Sequence, residues 1–435
     1  MRIRKAPGGS VPSSGREKRH VNGSKGRRVC LVVPTNRECT ATLAEVVAEA
    51  EHAESHFDVD VRLLVLDSSD HFRAHAATLA AARDVRHLDE RRQRDFLRRV
   101  IRRADLAKPD LALDLMLPRG LSYGACTNRA FLIAAALGCE SVHRRDSDLY
   151  FQTYAGRKVF PIHAELSALG RPAGDVVATE NRLDRSRRNL PVALVGASFV
   201  GSMSVDIEDI RDHAAYYDLV SLWAADGSTE AEKRALVAES FTGSAPFDGD
   251  RCVLSAVDPM RVDMHNISFH GLHERVPLPP ATDTIGSDYF LIHVAARAGL
   301  PGVLHNRHIV NFHTAERKSD AGFLAYQMRF AKFILSMYYL HFVYQRMTTD
   351  DPADIAALVR ASTWQPREPN EAKAGLLEAA YRRLGGRFTG VADRIRERRE
   401  LLLVEARRDM DDFALLIDAW AALTAAARET PVDDV

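Results

Sequence analysis

The chain has no long apolar run, no paired cysteines and no surplus of either charge. Across its 435 residues, 59 Lys+Arg face 59 Asp+Glu, for a formal net charge of +0. A dedicated nucleic-acid binder carries a basic surplus, so no nucleic-acid partner is expected. No stretch is long and apolar enough to be read as a membrane span. A basic start (Arg2, Arg4, Lys5) runs into Gly, Pro and Ser where a secretory leader needs an apolar core. A cytoplasmic location is therefore expected. The five cysteines, Cys30, Cys39, Cys126, Cys139 and Cys252, show no CxxC spacing. That pattern speaks against a disulfide framework and against a structural zinc site, and fits reduced thiols. Lysine is scarce beside arginine. Arginine suits phosphate clamps, although genomic base composition is the plainer explanation of the bias.

The hydrophobic fraction of 46% is enough for a sizeable core. The length allows two ordinary domains, or one large α/β domain with an appendage. Residues 1–26 are rich in Gly, Ser, Arg and Lys without apolar periodicity, and are expected to form a disordered basic tail. The run Val29-Cys30-Leu31-Val32-Val33 then reads as a buried parallel strand, and residues 40–53 as a helix. Residues 61–66 give a second buried strand, followed by a helix-rich stretch to about Lys108. A helix over 128–137 and a short strand from Ser141 follow. This alternation predicts a parallel α/β sheet. Residues 192–200 form one more apolar stretch. From about Ala321 the chain is rich in Ala, Leu, Arg and Glu at helical spacing, so the predicted division is an α/β domain over 27–320 and a helical region over 321–435.

Ligands of open parallel sheets sit beyond the C-terminal ends of the strands. Polar residues recur at just those ends: Pro34-Thr35-Asn36-Arg37, then Asp67-Ser68-Ser69-Asp70, then Asp146-Ser147-Asp148. Two carboxylates spaced D-x-D can hold a hard divalent cation such as Mn²⁺ or Mg²⁺. Such an ion neutralises the charge that builds on a leaving diphosphate. The same spacing also occurs in ordinary strand-end turns.

Several pieces in one order resemble the family 2-like GT-A glycosyltransferases. Gly124-Ala125-Cys126-Thr127-Asn128-Arg129 precedes a helix, a strand and the D-x-D. Asp263-Met264-His265-Asn266 is similar to the family's acceptor-side segment. Ile285-Gly286-Ser287-Asp288 opens a helix that ends at Arg297-Ala298-Gly299, and a strand and His313 follow. The resemblance implies a Rossmann-like nucleotide-diphospho-sugar transferase fold, an inverting transfer and a nucleotide-diphosphate sugar as donor, with a UDP-sugar first. It implies Asp146, Asp148 and His313 as ligands of Mn²⁺ or Mg²⁺. Pro34, Thr35 and Arg37 would form the nucleotide loop. Asp67 and Asp70 would meet base and ribose; Asn128, Arg129, Asp146 and Arg317 would face the diphosphate. Asp288 would be the general base. Each has a plainer reading as a turn, a helix cap or a core side chain. The family's acidic pair is Ser287-Asp288 here, an insertion is expected within 155–250, and Gln327-Met328-Arg329-Phe330 only echoes the Q-x-x-R-W of processive synthases. A non-processive enzyme is therefore expected.

The acceptor is left open between a small molecule, a peptide and a lipid-linked hydroxyl. His265, His270 and His273 are spaced loosely, and a surface or acceptor-pocket reading stands ahead of a zinc site. The aromatic stretch over 330–344 is read as a core helix ahead of membrane-surface docking. Two other functions stand beside the transferase. A nucleotidyltransferase would want a Gly-rich loop after the first strand, which Pro34-Thr35-Asn36-Arg37 lacks. A non-catalytic sugar-nucleotide-binding protein would explain Ser287 as decay of the acidic pair.

Overall fold

The first two apolar runs become interior strands of a sheet. In a computed structural model, β1 (Arg27–Thr35) and β2 (Val59–Asp67) pair in parallel along their whole length. The described residues are 26–432 apart from 81, 203, 204, 206, 208, 209, 258–260 and 313–317. His313, Arg317 and the expected tail before Gly26 lie outside them. Both strands are buried on both faces, as unbroken Val and Leu runs require. α1 (Thr40–His56) joins β1 to β2, and α2 (Phe72–Leu79) leads to β3 (Val85–Asp89). β3 lies inside the stretch expected to be helix-rich. It carries only Val85 and Leu88 as aliphatic residues, too few to announce a strand, and it sits at the sheet edge.

The chain then crosses back through α3 (Glu90–Arg103), α4 (Pro109–Met116) and α5 (Tyr123–Ala136) to β4 (Ser141–Arg144). β4 lies on the other side of β1, giving the parallel order β3-β2-β1-β4. Ser122 caps α5, its hydroxyl accepting from Ala125 N at 3.1 Å. The helix therefore starts earlier than the expected 128, and Asn128 falls in its second turn rather than at its start.

β5 (Leu149–Phe151), the hairpin of β6 (Thr153–Tyr154) and β7 (Arg157–Lys158), and α6 (Ile162–Ala168) follow, then β8 (Glu180–Asn181). The apolar stretch over 192–200 is two strands, not one: β9 (Leu194–Gly196) joins the main sheet and β10 (Phe199–Gly201) a second, smaller one. After α7 (Ala214–Val220), α8 (Glu230–Glu239) and β11 (Cys252–Ser255) come β12 (Ile267–His270), α9 (Leu272–Arg275), α10 (Phe290–Ala298), β13 (Gly302–His305) and β14 (Ile309–Asn311). β12 runs antiparallel between β4 and β9, and β13, β11 and β8 complete that sheet. β10, β14 and β5 form the smaller sheet.

Four helices end the chain: α11 (Asp320–Arg346), α12 (Pro352–Ser362), α13 (Glu368–Leu384) and α14 (Phe388–Arg428). α14 packs against α11, α12 and α13, and also against α3, α4, α5 and α9 under the sheet. One hydrophobic cluster accordingly runs from Val29 to Ala427. The aromatic stretch over 330–344 lies within α11 and is largely buried, the core-helix arrangement. Among the described residues no helix is long and apolar enough to cross a membrane. All five cysteines are free thiols.

Candidate active site

β1 and β4 are neighbours whose connections leave in opposite directions, which opens a crevice above their C-terminal ends. A cavity of about 820 Å³ opens there. On its floor lie Pro34, Thr35 and Arg37 after β1, and Asp146 and Asp148 after β4. The Thr35 hydroxyl bonds its own loop, donating to Arg37 O at 2.9 Å. The turn so made sends the Arg37 guanidinium to Asp148 at 2.9 Å.

Two consecutive arginines close β4 and point to opposite faces, as the strand period demands. Arg145 goes inward. It forks onto Glu49 of α1 at 2.8 and 3.0 Å and onto Glu165 of α6 at 3.0 and 3.1 Å. Burial pushes both carboxyls up and Arg145 draws both down. His143, bonded to Glu165 at 2.7 Å, takes that carboxyl below the ordinary range, while Glu49 stays above it. This buried network pins the root of the Asp146 loop to two helices.

Arg144 goes toward the cavity and is 2% exposed. It donates to Asp288 at 2.9 Å and to Met264 O at 3.1 Å, and its other nitrogen stands 3.0 Å from Asp146. His265 reaches the second oxygen of Asp146 at 2.8 Å and stands 3.4 Å from Asp263. Burial pulls the His265 imidazole down, but Asp146 and Asp263 outweigh it, and its pKa is pushed up to about 10. Asp146 is pushed up by burial and drawn well below the carboxylate range by Arg144 and His265. Asp288 differs: burial holds it above the ordinary range against the pull of Arg144, with Asp146 adding to the rise.

Asp288 sits in the tight turn Ser287–Tyr289 that leads into α10. Gly286 before it has φ 73°, and a Cβ there would come 2.5 Å from the Phe333 ring. Only glycine makes that turn without strain. Arg144 thus ties the D-x-D loop to the residue expected to act as base.

Among the described residues, Asp146, Asp148 and His265 bring a ligand atom each within 4.8 Å of one another. Two carboxylates and an imidazole suit Mn²⁺ or Mg²⁺, and Asp146 Oδ1 has no aligned hydrogen-bond donor despite the nearby Arg144. The donor set fits a divalent cation. A charged imidazole is no ligand, so binding through His265 must displace its proton.

The other expected residues are placed differently. Arg129 lines the cavity, held by Gln93 Oε1 at 2.8 Å and Met116 O at 2.7 Å. Asn128 does not reach it: its amide is clamped to Leu278, accepting from N and donating to O, both at 2.8 Å. Gly124 serves the same contact, since a Cβ there would meet Pro279 O at 1.9 Å. The Gly-to-Asn piece of the motif therefore holds the 278–280 segment rather than a diphosphate. Asp67 is turned inward, accepting from His75 at 2.7 Å, His87 at 2.9 Å and the Ser69 backbone at 2.8 Å. Its oxygens are engaged within the protein, and Ser68 lines the cavity in its place. Asp70 is exposed and is not among the lining residues. Asp67, His75 and His87 also form a compact group with ligand-type atoms. Cys39 N donates to His75 Nε2 at 3.1 Å, so that nitrogen is occupied and the group is a hydrogen-bonded cluster.

Sequence reasoning passed over Arg144 and read His265 as a surface or acceptor-pocket residue rather than as a partner of Asp146. Of the three loosely spaced histidines only His265 enters the cavity; the His270 ring meets Glu140 O at 3.1 Å, and His273 is buried beside Phe131. The signal for Arg144 was its place two residues before a D-x-D, at the end of a strand otherwise buried. Gln327 packs into the helices, accepting from Tyr381 at 2.7 Å.

Fold and site together define a mixed α/β protein with a largely parallel sheet, similar in fold to the GT-A-type glycosyltransferases. The chain belongs to the family described as "Family of unknown function (DUF6271)", which it matches over residues 27–435. Three solved structures are among those the chain is similar to. The mannosyltransferase of Pyrobaculum calidifontis, in complex with GDP-Man and Mn²⁺, is 15% identical, with 94% of this chain and 87% of that one covered and a TM-score of 0.37. Glucosyl-3-phosphoglycerate synthase from Mycobacterium tuberculosis, in complex with Mn²⁺, UDP-Glc and phosphoglyceric acid, is 15% identical, with 70% and 80% covered and a TM-score of 0.34. A mycobacterial protein is 18% identical, with 72% and 75% covered and a TM-score of 0.37. No curated protein matches the chain.

Proposed function

We propose that this protein is a metal-dependent glycosyltransferase. It moves a sugar from a nucleotide-diphosphate sugar, a UDP-sugar in the first instance, to an acceptor hydroxyl, with inversion and without processive polymerisation. One observation carries the reading. Asp146, Asp148 and Arg37 meet at the crevice between β1 and β4, and Asp288 faces the same cavity through a shared arginine.

A Mn²⁺ or Mg²⁺ ion, when held by Asp146, Asp148 and His265, would neutralise charge on the leaving diphosphate. The chain's own groups do the rest. The loop of Pro34, Thr35 and Arg37 cradles the nucleotide, with Arg37 free to swing from Asp148 toward a phosphate oxygen, since its side chain is 27% exposed. Arg129 adds a second cation on the same wall. Asp288 takes the proton of the acceptor hydroxyl. That oxygen attacks the anomeric carbon as the bond to the diphosphate breaks on the opposite face. A base whose proton affinity is raised by burial is suited to accept that proton near neutral pH. The free thiols suit a cytoplasmic setting.

The test is thermal stabilisation by UDP, GDP, CMP and ADP, with and without Mn²⁺, on wild type and on Asp148→Ala. A ligand at about 100 times its Kd adds about 2.7 kcal/mol to the native state. A Mn²⁺-dependent rise with one nucleoside diphosphate, lost in Asp148→Ala, is the expected result. No rise with any of the four at millimolar concentration refutes the reading.

A further inference from the structure

The cavity has two unlike halves. The sheet side is charged: the arginines that line it, Arg37, Arg119, Arg129 and Arg144, come from β4, α5 and the loops after β1 and α4. The helical side, from α8 with its flanking loops, α10 and α11, is a wall of rings. Trp223, Phe241, Tyr289, Tyr326, Phe333 and Tyr344 all line it. Trp223 lies 5.3 Å from Phe333 edge to face, and 5.8 Å from Phe241. Such rings offer large apolar area with little side-chain entropy to lose.

Two further observations mark this wall as built for a ligand. Phe241 has φ 57°, a left-handed conformation that strains an aromatic residue. Arg211 fixes it there, donating to Phe241 O at 2.6 Å. His341 lines the cavity with a buried Nδ1 that has no hydrogen-bond partner. Burial pulls the pKa of His341 down to about 4 and that of His293, stacked on Tyr344 at 3.8 Å, down to about 3. Both are neutral imidazoles near pH 7. Among the described residues, α8 adds Glu232 and Glu239, and none of these helices places a lysine or arginine on the cavity. Lys332, next to Phe333, turns instead to Thr282 O at 2.7 Å and Asp409 at 2.9 Å.

We propose that the helical half of the cavity is the acceptor subsite, shaped for a compact, non-anionic alcohol with an apolar, ring-containing body whose hydroxyl reaches Asp288. This rests on the transferase reading above and names its acceptor class. About 820 Å³ lies within the range of a pocket for one drug-sized ligand, yet here it must hold donor and acceptor together. That size leaves room beside the donor for one small ring-bearing body. An acidic acceptor would meet Glu232 and Glu239, and among the described residues no lysine or arginine of α8, α10 or α11 lines the cavity to offset them.

The probe is naphthol, an uncharged ring-bodied alcohol, followed by saturation-transfer NMR on the full chain, with phosphoglyceric acid and free glucose as comparisons. Saturable naphthol binding is expected, weakened about tenfold in Trp223→Ala and in Phe241→Ala. Trp364→Ala should leave it unchanged, since that side chain is 80% exposed and does not line the cavity. Nucleoside diphosphate binding, measured in the same variants, should persist and reports that the fold is intact. Naphthol failing to bind while a nucleotide binds overturns the acceptor proposal and leaves the transferase reading standing. Phosphoglyceric acid competing with naphthol, or naphthol binding equally to all variants, overturns it as well. Naphthol binding without any nucleotide binding overturns the acceptor role by removing the transferase reading it rests on.

Discussion

Replacing Arg144 by methionine removes the one cation that Asp146 and Asp288 share. The side chain is 2% exposed and the two carboxylates are 14% and 7% exposed, so water cannot take over its role. His265 still offsets Asp146, but among the described residues Asp288 has no second ion-pair partner. Breaking a buried pair from one side costs about 3–5 kcal/mol, because the remaining charge is stranded. The bond to Met264 O adds about 1 kcal/mol. Arg144→Met should therefore lose roughly 5 kcal/mol, read as a fall in the unfolding free energy extrapolated to water from urea titrations. The stranded carboxylate is the cause, so Arg144→Met with Asp288→Asn should recover about half of that loss. A single variant within about 1 kcal/mol of wild type, or a double variant no better than the single, would refute the argument.

Acid should weaken the fold before most carboxylates titrate. Burial holds the pKa of His273, His293 and His305 at about 3 and that of His341 at about 4, against an ordinary 6.5. Folded values below unfolded ones give stability that is full above pH 6.5 and lost as pH falls. At pH 5 each costs about 2 kcal/mol. Asp409, pushed up to about 6 by burial, works in the opposite sense and offsets about 1 kcal/mol. A urea midpoint that stays flat between pH 6.5 and 5 would contradict this. Asn128→Ala should cost about 3 kcal/mol by orphaning the buried N–H and C=O of Leu278, yet leave nucleotide affinity unchanged; a selective loss of affinity would return Asn128 to the donor site. Lys332→Met strands Asp409 and should destabilise strongly, whereas Lys332→Met with Asp409→Asn should approach wild-type stability in thermal melts.

Strands with unbroken apolar runs were legible in the sequence, and the polar residues at their ends pointed to the crevice. β3 was hidden because an edge strand needs only one or two aliphatic residues, and its buried His87 looks like a surface residue until Asp67 is seen beneath it. Asn128 and Gly124 misled for a related reason. An asparagine that clamps a distant backbone has the same spelling as one that binds a ligand, and the segment it clamps is 150 residues away. Arg144 was overlooked because an arginine at a strand end reads as solvated. Its burial follows from two carboxylates that arrive from separate parts of the chain, which no local pattern encodes. The aromatic content of α11 was plain, but which rings face the cavity depends on how α8 and α10 lie against it.

α14 closes the apolar layer that α3, α4 and α5 present on the far side of the sheet, with Trp420 fully buried and donating to His273 O at 3.1 Å. About 250 residues separate α5 from α14, and at about 5–20 residues per second they take tens of seconds to synthesise. Until α14 has been made, the apolar face of α3, α4 and α5 that it covers has no cover, so those helices depend on a segment synthesised long after them.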